Sequence, residues 1–127
     1  MNEVSMKFKE SGTLPVGVEV DGKFHHEFTL RPRLVRDSVD VLEEDSRAQS
    51  NDAYRGVALI ARQIEQLGDL EPDQITAKLL LSMFDTDLAA IMAANSRLEE
   101  RLKNFRAEGK NAPASASGIG ENRDTVA

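Results

Sequence analysis

Two runs near the start of the chain alternate apolar and polar residues. Leu14, Val16 and Val18 form the first, and Phe24, His26, Phe28 and Leu30 the second, which is the period of half-buried strands. Asp21-Gly22 between them predicts a hairpin over residues 13–30. A two-residue Asp21-Gly22 loop would pair Val18 with His25 and Val16 with Glu27, setting apolar against polar residues on one face. A three-residue loop, Val20-Asp21-Gly22, puts Gly22 in the left-handed position of a bulge. It pairs Val18 with Phe24, Val16 with His26, Leu14 with Phe28 and Glu19 with Lys23, and is the register expected. In it His26 lies half-buried beside the apolar face and His25 is exposed. Pro15, which has no N–H, suggests an edge strand.

Beyond Pro32 the period becomes helical. Val35, Val39 and Leu42 fall at helical spacing, with Asp37 able to cap the first turn, and predict a short helix over 37–45. The acidic end of that helix opposes its dipole, and residues 47–51 read as a loop. Tyr54, Val57, Ala58, Ala61 and Ile64 make one stripe of a second helix over 52–67, with Gly68 as its C-terminal cap. Thr76 caps a short helix over 77–83 that carries Leu79, Leu80 and Met83, with Phe84 a further candidate for its stripe. Asp85-Thr86-Asp87 offers caps for the longest helix, over 86–106. Along it Leu88, Ile91, Asn95, Leu98, Leu102 and Phe105 alternate spacings of three and four. An ordinary amphipathic core helix accounts for that seam, and Asn95 leaves helix pairing open, because a buried asparagine can fix register and partner number. From Glu108 onward the apolar pattern stops. The chain is therefore expected to be α+β, an N-terminal hairpin followed by about four helices. It forms one domain over 12–107, between a flexible N-terminus (1–11) and a disordered tail (108–127).

Composition narrows the function. At 127 residues without cysteine, disulfides, thiolate nucleophiles and Cys-based metal sites are excluded. A net charge of -6 argues against nucleic acid as a partner, since the basic residues between Arg97 and Lys110 are interleaved with Glu99, Glu100 and Glu108. No run is long and apolar enough for a membrane span, and Met1 to Glu10 shows no signal-peptide core, so the cytoplasm is the expected location. Adjacent strand residues point to opposite faces, so His25 and His26 are not expected to share a metal ion. No serine lies in a nucleophile elbow, and the glycines form neither a P-loop nor a dinucleotide fingerprint. The expectation is a protein without catalysis, metal or cofactor.

The stretch GTLPVGVEVDGKFHHEFTLRP, with its Asp21-Gly22 turn, and the later LLLSMFDTDLAAIMAANSRLEERLKNFR resemble the small tail assembly chaperones of Mu-like and related long-tailed bacteriophages. The resemblance spans roughly Gly12 to Arg106. It implies a protein of the host cytoplasm that binds the tape measure protein, helps recruit tail tube protein subunits and is absent from the finished particle. It also implies a longer form made by ribosomal frameshifting. Physically, an amphipathic helix on an acidic protein can cover the apolar stripes of a long helical client. The candidate face is Leu79, Phe84, Leu88, Ile91, Asn95, Leu98, Leu102 and Phe105, and the same residues also suit an internal core. Self-assembly into a homo-oligomer is left open. The alternatives are a minor structural tail or virion subunit whose hairpin edge joins a neighbour's sheet, and a small dimeric regulator.

Overall fold

The structure, a computed structural model, describes residues 8–110. Strands β1 (Glu10–Val20) and β2 (Lys23–Leu30) form the expected hairpin. Among the described residues five α-helices follow: α1 (Val35–Glu44), α2 (Ser46–Ser50), α3 (Asp52–Gln63), α4 (Ala77–Leu81) and α5 (Asp85–Lys110). A third strand, β3 (Ile64–Leu67), follows α3 directly and pairs antiparallel with β2, giving the sheet order β1-β2-β3. The fold is α+β, with α5 lying along β1 and with α1, α2 and α4 gathered on α3. Residues 111–127 of the expected tail, and residues 1–7, lie outside the described residues. At its inner end the N-terminal segment is built in, since Phe8 is buried and β1 starts at Glu10.

The hairpin register differs from expectation. The turn is the two-residue one, with positive φ at both Asp21 (54°) and Gly22 (79°), as a type I′ turn requires. Val18 therefore faces His25 and Val20 faces Lys23, yet farther along Thr13 faces Glu27 and Gly12 faces Phe28. A wide irregularity between Thr13 and Val18 absorbs the mismatch. Gly17 sits in it at φ 101°, a conformation that a residue with a Cβ rarely adopts. The polar-against-apolar clash disappears because Leu14 and Val18 no longer belong to one regular ladder. Both remain in the core, whereas Val16 turns outward.

The histidines are reversed for the same reason. His25 is buried against Gly68, and its Nδ1 accepts the Asp69 N–H at 3.1 Å. His26 is exposed and stacks on Phe24.

Three helical expectations are corrected as well. Helix α1 starts at Val35 rather than 37, because Asp37 acts from inside the first turn and accepts the Leu34 N–H at 2.7 Å. The expected loop at 47–51 holds α2, which Asp45 caps by accepting the Arg47 N–H. The helix expected to reach residue 67 stops at Gln63, whose carbonyl and side chain are both claimed by β2's exit. The Gln63 C=O accepts the Arg31 N–H, Nε2 donates to the Arg31 C=O and to Asn95 Oδ1, and Oε1 accepts from Arg33 Nε. Gln63 is fully buried, so these bonds are what permit its burial. Gly68 then ends a strand rather than a helix.

The main core joins Leu14, Val18, Phe28 and Leu30 of the hairpin to Ile60, Ile64, Leu67, Leu80, Ile91 and Leu98. A smaller cluster of Val41, Ala48, Ala58 and Leu59 seals α1 and α2 onto α3. Between them Arg31 makes a two-pronged ion pair with Asp37, both contacts at 2.9 Å. Burial disfavours the charged Asp37, but the Arg31 and Leu34 hydrogen bonds outweigh it and hold the carboxyl below its ordinary value. Glu10, bonded by Arg97 and also by Arg101, is lowered too.

These depressed values fix the sign of the pH response. A carboxyl whose folded pKa lies below its unfolded one adds stability above the unfolded value and loses it as pH falls through the folded one. Urea midpoints should hold between neutrality and about pH 5 and drop below about pH 4. In Asp37→Asn, stability at neutral pH should be lower and the acid-side drop shallower. An identical drop in the variant would remove Asp37 as its source.

Candidate interaction surface

The expected partner face divides when placed in the fold. Ile91 and Leu98 are 0% exposed, and Leu88 and Leu102 are half-buried against the same core. Asn95 is buried with its Oδ1 accepting from Gln63 Nε2 at 2.9 Å. That bond is within the chain, so Asn95 ties α5 to the end of α3 rather than selecting a second helix. The seam is thus largely internal, packed on the hairpin. Phe105, toward the other end of α5, is exposed and packs edge-on against Phe8, with centroids 5.1 Å apart.

The other exposed apolar residues near this face gather at the corner between α4 and α5. Phe84 is 61% exposed, Leu81 and Met92 are also exposed, and Leu79 is half-buried. Phe84, Leu88 and Met92 follow one another at intervals of four, so they form a stripe along the flank of α5. Beside Leu79 lies an open groove of about 440 Å³, walled by Val20, Asp73, Gln74, Thr76, Lys78 and Ser82.

The corner is held by local hydrogen bonds. Thr76 Oγ1 accepts the Leu79 N–H, as the sequence predicts, and the Leu79 carbonyl accepts both the N–H and the hydroxyl of Ser82. The Phe84 carbonyl accepts the N–H groups of Asp87 and Leu88, starting α5. Asp87, fully buried, does not cap its own helix with its side chain. Its two oxygens accept the N–H groups of Val16 (2.8 Å) and Gly17 (3.0 Å), joining the first turn of α5 to the irregular stretch of β1.

A second cavity, of about 340 Å³, lies between α1 and α3. Val41, Ala58, Ala61 and Ile75 line it, with Glu44, Asp45 and Arg62 at its rim. Its charges are engaged with one another: Arg62 pairs with Glu44 and Asp40, and Asp45 accepts from the Tyr54 hydroxyl. The Asp45 bond raises the Tyr54 pKa. Among the described residues no group of three His, Cys, Asp or Glu side chains is placed to hold a metal ion, and no helix is long and apolar enough to cross a membrane.

Sequence reading missed Asp87's role, the Gln63 junction and the exposure of Leu81 and Met92. Asp87 was visible only as a helix-start residue, and its partners lie 70 and 71 positions away. Leu81 and Met92 carry no signal that separates them from core leucines and methionines at the same spacing. No known protein family, curated protein or solved structure matches the chain.

Proposed function

We propose that this chain is a phage tail assembly chaperone that binds the tape measure protein in the host cytoplasm, aids recruitment of tail tube subunits and stays out of the particle. One observation carries the reading to a surface: the apolar corner of Leu81, Phe84 and Met92 beside the Leu79 groove. It supports the residue-level resemblance by giving a helical client an exposed apolar contact. An acidic protein carrying -6 with such a contact can hold an apolar stripe reversibly and remain soluble.

The test co-expresses the chain with the tape measure protein of the same genome and measures how much of that protein is soluble and co-purifies. Leu81→Asp combined with Phe84→Ser should leave the circular dichroism unchanged, since both side chains are exposed and serine is a good residue before a helix. Soluble tape measure protein should fall several-fold. Full rescue by the double variant would move the client elsewhere on the surface. No rescue by the folded wild-type chain, together with its presence in purified particles by mass spectrometry, would replace the chaperone reading with a structural one.

A further inference from the structure

Helix α1 has two unlike sides. Asp37 and Val41 turn inward, to Arg31 and to the smaller core cluster. Val35, Val39 and Leu42 turn outward, at 84%, 47% and 38% exposure. Their spacing of four and then three is that of a coiled-coil seam, with Val35 and Leu42 at d positions and Val39 at the a position between them.

Arg36 and Glu43 each follow a d residue, so both occupy the flanking e position on one side of the seam. In an antiparallel pair of such helices, e positions meet e positions, and Arg36 of each copy comes beside Glu43 of the other. In a parallel pair, e positions meet g positions, where Ser38 offers no charge. Both Arg36 and Glu43 are exposed. Among the described residues neither has an ion partner in its own chain, whereas Asp37, Asp40 and Glu44 are engaged by Arg31 and Arg62.

We infer that the outer face of α1 is a self-association surface, on which two copies of this chain pair antiparallel through Val35, Val39 and Leu42 with reciprocal Arg36–Glu43 ion pairs. A single ten-residue helix falls short of the roughly 800 Å² per partner of a standard interface. The pair is therefore reversible and forms with rising concentration. It stands apart from the client-binding reading, which rests on the α4–α5 corner.

Sedimentation velocity of the full chain over about a hundredfold range of concentration should show a monomer passing toward a dimer. Val39→Asp should remain monomeric. Arg36→Glu alone and Glu43→Arg alone should each move the transition to about fivefold higher concentration or more, through like-charge contacts that are counted twice by the symmetry. The two together should bring it back. All three positions are exposed, and unchanged circular dichroism keeps the comparison one of association. A wild-type chain that is monomeric throughout would overturn the inference, as would a dimer indifferent to Val39→Asp or a double variant no tighter than either single one. Monomers throughout, with Val39→Asp reducing tape measure capture, would assign the stripe to the client instead.

Discussion

Leu98→Asp should leave the chain without a cooperative thermal transition at neutral pH. Leu98 is 0% exposed and belongs to the core that joins α5 to the hairpin. Placing an unpaired carboxylate there costs several kcal/mol in addition to the lost apolar burial. A domain of this size has only about 5–15 kcal/mol to lose. The milder Leu98→Ala should remain folded but lose about 2–5 kcal/mol in urea titration. The contrast with Phe84→Ser matters for function, because residue 84, just before α5, and residue 98, within it, belong to one apolar pattern yet only Phe84 is at the surface. A Leu98→Asp chain with a normal melt would mean that the seam is open in solution, and would return the whole face to the list of client contacts.

Asp87→Ala is expected to cost about 3–5 kcal/mol, because it strips the acceptor from two N–H groups and removes a fully buried, charge-assisted contact between elements distant in sequence. Asp87→Asn keeps one acceptor oxygen in nearly the same place and should fall between the two. Hydrogen exchange gives the local readout: the Val16 and Gly17 amides should exchange faster in Asp87→Ala, by more than amides in α3. Unchanged protection at those two amides would show that the carboxylate does not hold them in solution.

The parts of the fold that sequence disclosed are those set by neighbours a few residues away. The Asp21-Gly22 turn and the Thr76 cap follow from residues acting on their own backbone. The helix after Asn51 does too, since Asn51 Oδ1 accepts the Tyr54 N–H. The longest helix also starts near Asp85 as expected, although the Asp87 side chain serves β1 instead of capping it. The hairpin register departs from the alternation of Leu14 to Val18 because Gly17, at positive φ, breaks that alternation. Strand β3 is hidden in the sequence because Ile64 fits the α3 stripe as well as it fits a strand. What decides the matter is β2, whose Leu30 pairs with Ile64 and whose Phe28 pairs with Leu67. The candidate face was half legible. The 3-4 spacing of α5 correctly marks one apolar side, but burial depends on β1 lying across it, and spacing alone does not distinguish a seam covered by its own sheet from one awaiting a partner. The same ambiguity in α1 resolves the other way, leaving Val35, Val39 and Leu42 outside.

The joint between Asp87 and β1 also bears on how the sheet meets other chains. An edge strand invites a foreign strand through its unused N–H groups. Over Pro15, Val16 and Gly17, β1 has none to give: proline carries no N–H, and the next two are already donated to Asp87. A strand arriving there would find three consecutive residues that offer only carbonyl oxygens, in the stretch where the ladder is already irregular. The sheet is thereby blunted against growth at mid-strand, because an arriving strand gains no N–H donor from these three residues.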